Sequence, residues 1–204
     1  PEEKINLYFI LVDLLLSSLL AIIYTNDLFT GYVFVEINTI AACGMIMIRK
    51  IGRSLVAATR YMVMSLIGSG LFLIGLAMLY DITGHLLMEN ADLVMNQLVQ
   101  EGKYSVPLLV IISFITVGLA IKSGLYPFHS WMPDAYGYST VSSSSILSSL
   151  VSKSYIILLI KIFYRVIGFD NIVNSKIVDV LFVFGLAGMV MGSVGAIMAK
   201  DIYR

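Results

Sequence analysis

Cysteine is nearly missing from this sequence. The single Cys43 has no intrachain partner, which excludes a disulfide and a cysteine-based metal site. Inside an apolar run it reads as a small buried hydrophobe. Charge is scarce too. Only 13% of the 204 residues are charged, and they sum to zero net charge, so nucleic acid finds no basic footprint. Histidine occurs twice and forms no HExxH pattern, which argues against a zinc site. No nucleophile stands beside a base, so the chain shows no catalytic centre of its own. No redox cofactor site is visible. A signal-peptide layout is also missing. The chain opens on Pro1 and stops at Arg204 just past a hydrophobic helix, which gives the expectation of an internal piece of a longer protein.

Apolar residues are abundant, at 59% with a mean hydropathy of +0.93. A soluble domain sits well below that. Apolar stretches of about 20 residues recur, long enough to cross the hydrocarbon of a bilayer. The expected class is an all-α integral membrane protein, a single membrane domain over residues 1–204. Six spans are predicted. They run from Ile5 to Tyr24, Leu28 to Ile48, Ala57 to Tyr80, Val106 to Ile121 with a continuation towards Tyr136, Thr140 to Ile167, and Ile177 to Ala199.

Arg49, Lys50, Arg53 and Arg60 gather between the second and third spans and put that side in the cytoplasm. Lys4, Lys200 and Arg204 fall on the same side. The acidic loop from Asp81 to Lys103, with Glu89, Asp92 and Glu101, then lies outside; Lys103, Arg165 and Lys176 run against the bias. In that loop Asn90 is expected to cap a short rim helix, with Leu93, Val94, Leu98 and Val99 available to a neighbouring surface. Ser65, Gly68, Ser69 and Gly75 in the third span are spaced for close helix packing, as are Gly188, Gly192 and Ala196 in the sixth. Gly68-Ser69-Gly70 is no nucleotide loop, because no strand precedes it.

The most informative stretch is IKSGLYPFHSWMPDAYGYSTVSSSSILSSLVSK, from Ile121 to Lys153. A lysine at membrane depth is a functional hypothesis by default. Pro127 and Pro133 break the helix between Lys122 and Pro133, and lipid cannot satisfy the freed backbone groups, so the break must face protein or water. The ionisable residues within spans are Asp13, Glu36, Lys122, Lys153 and Lys161. At about 4 Å and an effective dielectric of ~20, opposite charges attract by roughly 4 kcal/mol. Desolvation of a lone amine opposes its charge by a similar amount. A Lys122 facing Glu36 therefore keeps its proton, and an unpaired one can release it. The alternative is a static ion pair that locks two helices.

Ser142, Ser145, Ser149 and Ser152 precede Lys153 at spacings of three or four, so their hydroxyls are expected to form one stripe. It reads as a hydrated lane ending at Lys153, or as small-residue packing. Lys161 either continues the path or snorkels to the headgroups. His129 and Asp134 lie beside the break, where histidine suits proton entry; capping the broken helix is the other reading. Trp131 and Tyr136 are expected to anchor the loop at the membrane interface. Asp13 is left open between a basic partner and a protonated, hydrogen-bonded state.

At FVEINTIAA, IKSGLYPFHSWMPDAY and SILSSLVSKSYIILLIKIFYR, with GHLLMENADLV before them, the sequence resembles a known family. It is similar to the antiporter-like subunits of respiratory complex I, of multisubunit sodium/proton antiporters and of energy-converting membrane-bound hydrogenases. The resemblance covers nearly the whole chain. It implies a fourteen-helix subunit with two inverted five-helix repeats, of which this chain supplies helices four to nine and thus the first repeat. In it, Glu36 matches the helix-five glutamate, Lys122 the lysine of broken helix seven, and Lys153 the helix-eight lysine. KDIYR matches the turn after helix nine. The family usually has Ala-Pro where this chain has Ser139-Thr140, and Asp13 carries no family role.

The function this implies is proton translocation within a multisubunit membrane complex of the cell inner (plasma) membrane. Lys122 would hold a proton, Glu36 would tune its release, and Lys153 would receive it along hydrated serines. The expected partners are other membrane subunits, the lipid bilayer, and protons or Na+. A redox partner of NADH/quinone or hydrogenase type, or an ion gradient, would drive it. The alternatives are a cation/proton secondary antiporter subunit and a non-conducting structural subunit.

Overall fold

The computed structural model describes residues 2–101, 105–174 and 176–199. Pro1, Lys103 and the KDIYR terminus lie outside the described residues, as do the side chains of Lys4 and Glu101. Every regular element among the described residues is helical. In chain order they are α1 (Glu2–Tyr24), α2 (Leu28–Met47), α3 (Gly52–Thr83), α4 (Met88–Glu101) and α5 (Ser105–Ser123). A 3₁₀ turn (Phe128–Trp131) then leads to α6 (Met132–Tyr138) and α7 (Val141–Ile146). A π turn (Leu147–Val151) joins α7 to α8 (Ser152–Ile162), and a second (Phe163–Ile167) precedes α9 (Phe169–Asn174) and α10 (Ile177–Met198).

Six segments are long and apolar enough to cross a membrane: Ile5–Tyr24, Leu28–Met47, Gly52–Thr83, Val106–Tyr138, Val141–Ile167 and Ile177–Met198. The third is longer than expected, at 32 residues. Its start is set by Ser54, whose hydroxyl accepts from the Ile51 amide at 3.2 Å and donates to the Ile51 carbonyl at 2.8 Å. Gly84, at φ +70°, ends it in the left-handed conformation glycine supplies. Asp27 caps α2 by accepting the Thr30 amide at 2.8 Å.

The bundle is drawn tight where α3 crosses α5. A Cβ added at Gly68 would lie 2.8 Å from the Gly118 carbonyl oxygen, and one at Gly118 would lie 2.7 Å from that of Gly68. Small residues let these backbones touch. Among the described residues the matching stripe on α10 makes no such crossing. A Cβ on Gly192 meets nothing, Gly188 approaches only Tyr126, and no residue of α10 is buried.

The rim helix α4 exists but begins at Met88, so Asn90 sits inside its first turn and caps nothing. Its buried stripe is Met88, Ala91 and Met95, while Leu93 and Val99 are exposed. That spacing of three and four turns one face onto the bundle, beside the π turn Phe163–Ile167.

Candidate functional site

The helix break centres on Gly124 rather than on the prolines. Beyond α5 the Gly124 amide donates to the Ile121 carbonyl at 3.2 Å and the Leu125 amide to that of Ala120 at 3.0 Å. This closure needs a left-handed residue, and Gly124 has φ +72°. Pro127 follows in the non-helical stretch, and Pro133 stands in the first turn of α6, where its missing N–H costs nothing. Trp131 is no interfacial anchor. It is 4% exposed, its indole N–H donates to the Ile121 carbonyl at 3.3 Å, and its ring meets Tyr61 edge-on at 5.0 Å. The indole thus gives the Ile121 carbonyl, which already accepts from Gly124, a second donor at the break.

Lys122 occupies the last turn of α5. Its residue is 1% exposed, one of the largest fully buried side chains. The ammonium lies 3.1 Å from the Glu36 carboxylate and donates to the Thr39 hydroxyl at 2.8 Å. Glu36 and Thr39 are three residues apart on α2, so one helix face presents both. The Glu36 side chain is 25% exposed and accepts a hydrogen bond from Ser69 on α3. A Cβ on Gly68 would come within 3.1 Å of the Lys122 stem, so that glycine also makes room for the amine.

Beyond Thr39 the polar groups continue inward. The Thr39 hydroxyl is 3.4 Å from that of Tyr155, whose ring centroid lies 5.6 Å from the Lys122 ammonium, within cation–π range. Tyr61 is buried beside Tyr155 and Ser65, though its hydroxyl closes no well-formed hydrogen bond. Asn38 donates to Ser154 at 3.4 Å and its carbonyl oxygen is unpaired among the described residues. Such buried, unpaired oxygens are where internal water is stabilised. Nearer the Arg49 end of the bundle Tyr136 and Ser152 share a hydrogen bond at 2.9 Å. Next to it an open cleft of about 510 Å³ is lined by Arg49, Tyr136, Ser139, Thr140, Ser144 and Ser145.

Other expected residues are not brought together. Lys153 is exposed, not buried at the end of a lane. The serine stripe is split: Ser142, Ser145 and Ser149 share the exposed side, whereas Ser152 is buried. The π turn Leu147–Val151 inserts an extra residue per turn and shifts the register there. Thr140 accepts the Ser143 amide at 3.2 Å and so caps α7, which fixes the start of that span. Lys161 turns to α1, donating to the Ile23 carbonyl at 2.7 Å and to that of Thr25. His129 is exposed and stacked on Tyr126 at 5.5 Å. Asp134 pairs with Arg60. Among the described residues no three His, Cys, Asp or Glu side chains converge as a metal would need.

Ser69 was visible in the sequence as a packing residue, and Thr39 stands three residues after Glu36 in the FVEINTIAA motif. Tyr61 and Tyr155 carried no such signal, because an aromatic in an apolar span is ordinarily core.

Residues 25–204 match the family described as NADH:quinone oxidoreductase/Mrp antiporter, TM. The chain is 33% identical over 204 residues to NADH-quinone oxidoreductase subunit N of Desulforudis audaxviator, aligning 100% of this chain with 39% of that protein. It is 28% identical over 192 residues to a Na(+)/H(+) antiporter subunit of Alkalihalophilus pseudofirmus, covering 93% of this chain and 37% of that one. A chain in the solved structure of the membrane-bound sulfane sulfur reductase, an archaeal respiratory membrane complex, superposes with a TM-score of 0.69 at 30% identity. That match covers 82% of this chain and 34% of the other. The chain therefore spans about 40% of the length of the curated relatives it matches.

Proposed function

The chain belongs to the NADH:quinone oxidoreductase/Mrp antiporter transmembrane family, and from that premise we propose that it supplies a proton-holding site to an antiporter-like membrane subunit. The observation that carries this reading is the fully buried Lys122 ammonium, shared between Glu36 at 3.1 Å and Thr39 at 2.8 Å beside a broken helix. A buried amine with two polar partners can hold a proton and change how firmly it does so when one partner moves. Glu36 meets the bundle edge, where a neighbouring subunit can pull on it; Thr39 leads inward to Tyr155.

In this reading protons enter from the cytoplasmic cleft above the Tyr136–Ser152 pair, with His129 and Asp134 at that end. Lys122 is the holding station. Lys153, on the open side of α8 with Ser149, is a later station whose surroundings another part of the complex completes. Lys161 is a structural clamp on α1. Residues 1–204 act as one membrane domain in the inner (plasma) membrane, with other membrane subunits as partners. The driving energy comes from redox chemistry in a partner subunit or from an ion gradient.

The test uses the full-length subunit in its native complex, reconstituted in liposomes with a pH-sensitive dye. Lys122→Ala and Glu36→Gln are each expected to abolish proton translocation while the complex still assembles. Wild-type pumping by both variants would overturn the proposal and leave a structural ion pair. A cation/proton antiporter is the second reading, favoured by the similarity to a Na(+)/H(+) antiporter subunit. It requires sodium-dependent transport in the same liposomes with no redox substrate present.

A further inference from the structure

The Thr39 hydroxyl is asked to serve three neighbours. A threonine hydroxyl has one hydrogen to give and two lone pairs to receive with. The Val35 carbonyl lies 2.9 Å away, the Lys122 ammonium 2.8 Å and the Tyr155 hydroxyl 3.4 Å. A carbonyl only accepts and an ammonium only donates. The Thr39 hydrogen therefore lies on Val35, one turn back in α2, and Lys122 fills one lone pair. The other lone pair is what remains for Tyr155, so the phenol is the donor. Thr39, Tyr61, Lys122 and Tyr155 are each at most 1% exposed, and residues of this chain alone enclose them.

In this arrangement the inner route is shut. Hydrogens point at the Thr39 oxygen from the amine and from the phenol, and a proton passes an oxygen only when the next group turns a lone pair towards it. Tyr155 must first turn its hydrogen elsewhere. Tyr61 offers the place. It lies beside Tyr155, and its buried hydroxyl closes no well-formed hydrogen bond among the described residues, a state that native interiors seldom leave without a use. Once the Tyr155 hydrogen is on the Tyr61 oxygen and the Thr39 hydrogen has swung from Val35 to Tyr155, the line is continuous. Each oxygen then gives up the hydrogen it holds as it takes the one behind it. The Lys122 N–H bond breaks, Lys122 is left a neutral amine, and one proton leaves Tyr61 for internal water. Until then the face of the Tyr155 ring, 5.6 Å from the ammonium, favours the charged amine. We propose that Tyr61 and Tyr155 form a hydroxyl switch, a pair of positioning residues that keep the inner route from Lys122 closed until the Tyr155 hydrogen turns to Tyr61. The switch presupposes the proton-holding Lys122 proposed above.

The experiment measures dye-monitored pumping by the full-length subunit in its native complex in liposomes. Tyr155→Phe and Tyr61→Phe keep both rings, and each is expected to slow pumping by about tenfold while the complex still assembles. Rings that served only packing would tolerate the loss of a hydroxyl. A difluorotyrosine at Tyr155, with fluorine on both sides of the hydroxyl, gives a second readout. Fluorine is close to hydrogen in size, yet it makes the phenol a stronger donor and a weaker acceptor. The hydrogen then stays on Thr39, so pumping is expected to fall, and to return when tyrosine is inserted by the same method. Wild-type pumping by either phenylalanine variant or by the fluorinated protein would overturn the switch. Lys122→Ala, run alongside, separates the two readings. Full pumping by it removes the holding site and the switch together, whereas an inactive Lys122→Ala beside a fully active Tyr155→Phe removes the switch alone.

Discussion

Lys122 stands closer to Thr39 than to its formal counter-ion: the ammonium is 2.8 Å from the threonine hydroxyl and 3.1 Å from the Glu36 carboxylate. One face of α2 thus offers the amine a neutral partner that points inward and a charged one that points to the bundle edge. Thr39→Val keeps the shape and removes the hydroxyl. A hydrogen bond to a charged group contributes about 1.5–3 kcal/mol, so proton translocation is expected to fall by about tenfold or more without loss of assembly. Thr39→Ser is expected to recover it. Dye-monitored pumping by the reconstituted complex measures both, and an unimpaired Thr39→Val would remove Thr39 from the route.

The spans were legible because hydropathy and length act locally, and lipid permits little besides helices. Lys122 and Glu36 were legible for a related reason, since charge is so expensive in a span that it must find its partner. Trp131 was not. Its enrichment at membrane interfaces is a statistical habit, and here the ring packs on Tyr61 while its N–H reaches the Ile121 carbonyl. The serine stripe failed at a single inserted residue. Spacing assigns a face only while the helix keeps 3.6 residues per turn, and the π turn at Leu147–Val151 does not. Thr39–Tyr155 joins residues 116 apart in sequence, and no local pattern encodes such a contact.

Gly68 and Gly70 are two residues apart on α3 yet differ sharply in surroundings. A Cβ on Gly68 would lie 2.8 Å from the Gly118 carbonyl, whereas one on Gly70 meets nothing within 4 Å. Gly68→Ala must push α3 off α5 and crowd the Lys122 stem, an overpacking cost of about 1–3 kcal/mol. Gly70→Ala is expected to be neutral or to stabilise by up to ~1 kcal/mol through helix propensity. Thermal unfolding of the purified complex in detergent separates them, and equal melting temperatures would contradict the close crossing.

Lys161 places its ammonium on the carbonyls that end α1, where a cation also meets the negative end of the helix dipole. Lys161→Met is therefore expected to lower stability by about 1–3 kcal/mol while the transport rate per assembled complex stays near wild type. Melting temperature and pumping are measured on one preparation. An unchanged melting temperature with lost pumping would return Lys161 to the proton path.

Gly124 faces two costs if it gains a side chain, and they can be told apart. Its φ of +72° opposes any ordinary L-residue by about 1–2 kcal/mol, and a Cβ would lie 2.6 Å from the sulfur of Met132. The sulfur belongs to a flexible side chain that can swing aside, so the backbone cost should dominate. Asparagine tolerates the left-handed region far better than alanine, although it is larger. Gly124→Asn is thus expected to unfold at a higher temperature than Gly124→Ala and to retain more pumping. If crowding against Met132 cost more than the backbone conformation, the order would reverse, with the bulkier asparagine doing more harm. The ranking of these two variants decides whether the break at Lys122 is held open by backbone conformation or by side-chain packing.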